Sequence, residues 1–257
     1  MEQVYAGKSY FSSARIAVIA MFSALAAILY IFNFALPFAF PSFLEFKFSD
    51  IPVLIGSFAL GPVSAVIIVV SEILIKLVIK GSSTMFVGEL SDLITSCAFA
   101  VTAGLIYKKH RTLKGALVGM GIGTVIEVAI AILINWLILV PFYLQFFFHG
   151  KWEPLISAMT PLFPNCTRET FYNFYLWASV LPFNLLRCVV AILITLPVYK
   201  RISILINRFN AKLTPKESEN SERTKKINIA TICVGIGVIA LLLLFALLRV
   251  LVFTPAK

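Results

Sequence analysis

The sequence predicts an all-α integral membrane protein, and three observations carry that reading. Seven stretches are apolar for roughly the thickness of a bilayer, where a spanning helix needs about 20 residues. The mean hydropathy is +0.96, and 60% of the residues are apolar, against roughly 45–50% in soluble domains. The net charge is +10, but the lysines and arginines cluster beside the apolar stretches. That is the positive-inside pattern of a membrane protein, not a nucleic-acid footprint.

The elements follow in order. Span 1 covers residues 15–34, where Pro37 and Pro41 open an aromatic loop, residues 37–48, carrying Glu45 and Lys47. Span 2 is short, residues 50–60, and stops at Gly61-Pro62. Proline fits the first turn of a helix, so Pro62 begins span 3, which reaches residue 79. Residues 80–84 turn the chain into span 4, residues 85–107, followed by Lys108, Lys109, Arg111 and Lys114. Span 5 covers residues 115–139, with Pro141 closing it. An interfacial loop with a short amphipathic piece fills residues 142–172. Span 6 covers residues 174–199, with Pro182 and Pro197 as kinks. Residues 210–226 are polar and contain Pro215, which reads as a linker. Span 7, residues 227–253, is almost purely aliphatic. The domain reading is a membrane bundle at 1–209, the linker at 210–226 and an extra transmembrane helix at 227–257.

The first apolar run is too long for a signal peptide and lacks a small-residue cleavage site, so it reads as a retained span. The basic segments after spans 4 and 6 place both on the cytoplasmic side. Counting back puts the amino terminus inside and the loop at 37–48 outside. The four cysteines, Cys97, Cys166, Cys188 and Cys233, are scattered and imply neither a disulfide framework nor a zinc site. No GxxxxGK[ST] loop, HExxH motif or nucleophile elbow is present, which argues against P-loop ATP hydrolysis and against an enzyme.

An isolated charge in hydrocarbon costs on the order of 2.5–3.5 kcal/mol on insertion scales. Polar residues kept at that cost usually line a cavity. Here they gather at residues 45–50, 89–92, 135 and 184–187, all near the outer end. Asn184 and Arg187 share a helix face, and Arg187 offers a fork of donors, with a bundle-facing role favoured over snorkelling. Asn135 either bridges helices or reads a polar ligand edge. Glu127, two turns deeper, suits an interhelical hydrogen bond at least as well as a ligand contact. Glu89 and Asp92 suit either a helix N-terminus or a site. Glu45, Lys47 and Asp50 flank the aromatic loop, which is either a lid over a flat ligand or an interfacial belt. Glu72 and Lys76, four apart, suit a local ion pair and stay outside the site. In span 1, Ala20 and Ala24, extended by Ala17 and Ala27, form a small-residue stripe suited to close helix approach.

Several of these stretches carry a resemblance. The run Phe43-Leu44-Glu45-Phe46-Lys47-Phe48-Ser49-Asp50-Ile51-Pro52 with the Gly61-Pro62 turn resembles the substrate-binding S components of energy-coupling factor (ECF) vitamin transporters, in particular their riboflavin-specific (RibU) group. So do Val87-Gly88, Leu133-Ile134-Asn135-Trp136 with Val140-Pro141-Phe142-Tyr143, and Leu181-Pro182-Phe183-Asn184-Leu185-Leu186-Arg187. The set covers residues 14–208. It implies a six-helix bundle, here with an additional C-terminal helix, that binds vitamin under its first loop at the outer side. It also implies a transmembrane T protein, contacted through Ala20 and Ala24, and two ATP-binding subunits as partners. Flavin contacts map onto Glu45, Asn135, Asn184 and Arg187; with Lys47 and Asp92 these make the expected substrate site. The chain departs from the family in Arg187, where relatives have Lys or Glu, in Asp92, where they have Asn, and in residues 151–170 and span 7. The expectation is a multi-pass bacterial cell-membrane protein with no resident cofactor, carrying riboflavin or its phosphate, FMN. An S component for another small vitamin, or a stand-alone secondary transporter with Glu127 as proton carrier, are the alternatives.

Overall fold

Hydrocarbon leaves a backbone only its own partners, so the spanning segments must be helical. The computed structural model describes residues 13–213 as helices joined by short connections. Helix α1 is Ser13–Ile31, α2 Asp50–Leu60, α3 Pro62–Lys80 and α4 Val87–Lys109. Helix α5 runs without a break through Leu113–Phe147, α6 is the short Glu153–Met159, and α7 joins Asn173–Val180 to Leu181–Leu213. Four of these, α3, α4, α5 and α7, are long and apolar enough to cross a membrane, while Arg15–Ile31 and Asp50–Leu60 are shorter apolar helices. Helix α7 continues past residue 209 to Leu213, and the expected span 7 lies outside the described residues.

Each boundary has a local cause. Gly61 takes a left-handed φ of 93° between α2 and α3, and Pro62 starts α3. Met85 and Phe86 also adopt positive φ (50° and 67°), so α4 starts at Val87, two residues after the expected start. Thr112 caps α5 by accepting from the Gly115 N–H at 3.0 Å.

The sequence places the end of span 5 before Pro141, yet α5 passes through it. The turn just upstream, Asn135–Leu139, is π-helical, and the Val140 N–H reaches back to the Asn135 carbonyl. A wider turn relieves the clash between a proline ring and the preceding carbonyls. Helix α7 repeats the arrangement, with π-helical Asn173–Val180 directly before Pro182.

At about 1.5 Å per residue, α2 spans only about half of a 30 Å core. It lies inside the bundle, with Pro52, Val53, Leu54, Ile55, Ser57 and Phe58 all buried. Its Ser57 hydroxyl donates to the Ala100 carbonyl of α4 at 2.7 Å. Arg15 of α1 donates to the Leu60 carbonyl, placing a cation at the C-terminus of α2. The outward faces are apolar: Val70, Leu74 and Val78 on α3, Val118, Ile122 and Val125 on α5, Val189 and Leu193 on α7 are exposed. That is the surface lipid requires.

Helices α4 and α5 approach through a stripe of glycines four apart. A Cβ on Gly119 would lie 2.8 Å from the Ala103 carbonyl oxygen, and one on Gly123 2.9 Å from that of Phe99. Backbone on the facing helix cannot yield as a side-chain tip can. Gly119→Leu and Gly123→Leu should each lower stability by about 1–3 kcal/mol through overpacking. Gly121→Leu, with nothing within 4 Å of its Cβ, should leave it unchanged. Thermal unfolding of the three detergent-purified variants checks this, and equal behaviour of all three would refute the glycine contact.

Candidate functional site

One end of the bundle is built from the loop after α1, the α3–α4 turn and the α5–α7 connection. The basic residues His110, Arg111 and Lys114 lie at the other end of α4 and α5. The first loop is tied down by a two-residue antiparallel ladder, Phe34 opposite Phe46 and Ala35 opposite Glu45. Its rings pack onto α7: Phe40 meets Phe183 edge-on at 5.2 Å, and Phe46 meets it at 6.3 Å. Asn33 donates to Glu45 and accepts from Lys80 at 2.5 Å, pinning the loop to the end of α3.

Beneath this loop lies a cavity of about 410 Å³, within the roughly 300–1,000 Å³ usual for small-molecule sites. Glu45, Lys47, Asp92, Asn135, Asn184 and Arg187 all line it, from the first loop, α4, α5 and α7. Glu45 is exposed at the rim; the side chains of Lys47, Asn135, Asn184 and Arg187 are buried. Aromatic surface comes from Phe43, Tyr143, Phe147, Tyr175 and Phe183.

The charges below the cavity form one network. Arg187 is 4% exposed and is bundle-facing. It donates to Glu127, its Nε lies 3.3 Å from Asp50 Oδ2, and its Nη1 lies 3.9 Å from Asp92. Asp92 in turn pairs with Lys47 at 3.0 Å and accepts from the Tyr30 hydroxyl. Lys47 sits 4.3 Å over the Tyr30 ring, a cation–π contact. Asp50 also accepts from the Ser96 hydroxyl at 2.8 Å, and Cys188 donates to Glu127. Arg187 is therefore a hub joining α2, α4, α5 and α7, and Glu127 is held as an interhelical ion-pair partner.

Two asparagines stand apart from this network. Asn135 donates to the Ala131 carbonyl at 2.8 Å and accepts from the Tyr175 hydroxyl at 2.5 Å. Asn184 donates to the Val180 carbonyl at 2.8 Å. Each spends one N–H on its own helix, one turn back, and keeps amide capacity facing the cavity.

The local pair expected between Glu72 and Lys76 does not form. Lys76 reaches across to Glu89, whose other oxygen accepts from Ser82 at 2.9 Å and Thr84 at 2.8 Å. Lys76 thereby joins the cavity lining. Glu72 is 0% exposed, and among the described residues neither of its carboxylate oxygens has a hydrogen-bond partner. The sequence reading also missed Tyr30 and Tyr175, whose hydroxyls orient Asp92 and Asn135. Tyr30 offers only a tyrosine beside aliphatic residues and Tyr175 one ring in an aromatic run, signals that interfacial aromatics share.

On α1, Ala17, Ala20 and Ala24 are exposed among Ile16, Met21, Leu25 and Ile28, an outward face with small residues at its centre. Ala27, expected to extend the stripe, instead points inward at 1% exposure.

Known proteins resemble this chain along most of the described length. The family model described as "ECF transporter, substrate-specific component" matches residues 14–199. A protein described as riboflavin transporter RibU, from Staphylococcus aureus (strain TCH60), is 25% identical over 194 residues, 76% of this chain and 93% of its own. Riboflavin transporter FmnP of Bacillus subtilis (strain 168) is 25% identical over 177 residues, 68% of this chain and 85% of its own. A RibU from Streptococcus thermophilus (strain ATCC BAA-250 / LMG 18311) is 29% identical over 174 residues, 67% and 74% of the two chains. The structure reported as "Structure and mechanism of the S component of a bacterial ECF transporter" shares the fold, with a TM-score of 0.58 and 24% identity over 76% of this chain and 99% of that one. With the family's description fitted from residue 14 to residue 199, this multi-pass membrane chain belongs to the substrate-specific components of ECF transporters.

Proposed function

We propose that this chain is the riboflavin-binding subunit of an ECF importer, taking flavin from the outer side and delivering it inward with a T protein and two ATP-binding subunits. The observation that carries the reading is the cavity itself. Its polar groups converge from the first loop, α3, α4, α5 and α7, its walls are aromatic, and it lies at the end of the bundle opposite the basic cluster. Three relatives described as riboflavin transporters supply the ligand class. In this reading α1–α5 and α7 make the six-helix bundle, the stretch at 227–253 adds one more span, the amino terminus is cytoplasmic, and the chain performs no chemistry.

The division of labour follows from the chemistry of the lining. The rings of Phe43, Tyr143, Tyr175 and Phe183 hold the flat isoalloxazine by stacking and edge contacts. Asn135 and Asn184 offer amide groups to its polar edge, while Glu45 and Lys47 meet its polar groups at the lid. Arg187 and Asp92 hold each other and complete the floor. Closing the first loop excludes water, so each hydrogen bond made inside counts for more than in solvent. The exposed face around Ala20 and Ala24 is where the T protein packs, because small residues let helices approach closely in lipid.

The protein purified from riboflavin-fed cells should be yellow and should quench flavin fluorescence on titration. Asn184→Ala should weaken binding about tenfold, the value of one well-placed hydrogen bond. Unchanged affinity in that variant would remove Asn184 from the site, and a parent that neither colours nor quenches would remove flavin. Ala20→Trp with Ala24→Trp should leave binding intact and abolish ATP-dependent uptake into cells expressing the partner subunits. Uptake by the parent chain alone, with no ATPase present, would instead establish a secondary transporter.

Arg187 has a second duty, and its loss should look different. Arg187→Ala strands Asp50, Asp92 and Glu127 beside one lysine, and breaking a buried charge pair typically costs about 3–5 kcal/mol. A large fall in melting temperature is expected even without ligand; an unchanged melt would show that the network is not structural.

A further inference from the structure

The lone hydrogen-bond donor that Asn135 turns to the cavity is set by a residue on another helix. Asn135 Nδ2 faces the Ala131 carbonyl at 2.8 Å. A carbonyl oxygen can only accept, so the atom opposite it must be the nitrogen, and the amide has one orientation. Oδ1 is thereby turned toward Tyr175, whose hydroxyl lies 2.5 Å away and must be the donor. One N–H is spent on Ala131 and the oxygen is engaged by Tyr175, so the second N–H is the donor the amide keeps for the cavity that both residues line.

Each of the two residues lies in a π-helical segment, Asn135 in Asn135–Leu139 and Tyr175 in Asn173–Val180. Tyr175 is held from behind by the connection between α5 and α7. Phe171 stacks on it at 5.4 Å and 25°, and Trp152 packs edge-on against Phe171 at 5.7 Å. Leu155 and Met159 of α6 are buried in the same apolar cluster. Residues 151–170, which depart from the resemblance drawn from the sequence, thus pack behind Tyr175 through Trp152, Leu155 and Met159.

We infer that Tyr175 is a positioning residue for ligand selection: it locks the Asn135 amide so that its N–H meets a carbonyl on the ligand's polar edge, and the 151–170 segment buttresses that lock. The ligand arm of this inference rests on the flavin reading above; the lock itself does not.

Two measurements separate the two. In ligand-free protein labelled with 15N-asparagine, the Asn135 side-chain amide should be rigid, its 15N relaxation matching that of the helix backbone. Tyr175→Phe keeps the ring and its stacking, so the melting temperature should hold while those amide signals shift and their relaxation reports a looser group. Signals unaltered by Tyr175→Phe overturn the lock, whatever the protein binds. In riboflavin titrations, Tyr175→Phe should weaken binding about tenfold, as one hydrogen bond's worth of orientation is lost. It should also move a bound-flavin carbonyl stretch to higher frequency in Raman spectra. In an Asn135→Ala background, Tyr175→Phe should add no further loss, and neither should Trp152→Ala, which removes part of the buttress without touching the cavity. Full additivity would overturn the inference by showing that the Tyr175 hydroxyl acts on the ligand directly, apart from its ring. A parent that binds no riboflavin, with the amide signals still responding to Tyr175→Phe, would reject the flavin reading and leave the lock established.

Discussion

Arg187 is almost wholly withdrawn from water, and much of the architecture answers that constraint. A guanidinium in the middle of a helical bundle needs fixed acceptors, because taking an ion out of water costs several kcal/mol even after relaxation. Three carboxylates from three helices supply them: Asp50 of α2, Asp92 of α4 and Glu127 of α5. Each acid would be as costly alone as the arginine, so the four side chains require one another. The result fixes where the short α2 sits relative to α4, α5 and α7. Association in lipid has no hydrophobic drive of its own. A charge hub with one satisfactory arrangement specifies the packing that apolar surface leaves loose.

The same hub forms the floor of the cavity, which joins stability to recognition. Lys47 belongs to the first loop yet pairs with Asp92, already within reach of Arg187. The roof is therefore electrically fastened to the floor, and the space between them is left to aromatic rings and two amides. Opening the loop to admit a ligand must separate Lys47 from Asp92 or carry the pair along. Tyr30 lies under both partners, its hydroxyl on Asp92 and its ring beneath the ammonium. Helix α1 thus touches the loop-to-floor pair on one face while its opposite face, around Ala20 and Ala24, is exposed.

What the sequence makes legible and what it hides follow from the range of each interaction. The junction between α2 and α3 was readable to the residue because Gly61 and Pro62 act on their own backbone. That Glu45, Lys47, Asp92, Asn135, Asn184 and Arg187 share one cavity was readable because hydrocarbon makes isolated polar residues rare, so those present cluster together. Pairing across helices was not readable. Glu72 and Lys76 have the spacing of a local pair, but Lys76 satisfies Glu89 thirteen residues away, and spacing along one helix carries no information about the next. The continuation of α5 through Pro141 was hidden for a related reason. A π turn is a change of hydrogen-bond register with no composition of its own, so the proline reads as a stop.

Those π turns tie the backbone to the chemistry of the cavity. A proline within a helix forces some rearrangement of the preceding carbonyls. In α5 and α7 the rearrangement falls where a side-chain amide is present, Asn135 at the head of one π segment and Asn184 four residues past Val180, the end of the other. Both amides then bond a carbonyl one turn back, Ala131 or Val180. That bond costs a buried amide half of its donors and fixes its angle. An asparagine free to rotate could match many ligand edges equally well. One tied to its own backbone offers a single pattern, and two so tied on neighbouring helices offer a pattern that few ligands match. The fixed angle of each amide therefore begins in the helix backbone, in the carbonyl one turn back that each side chain bonds.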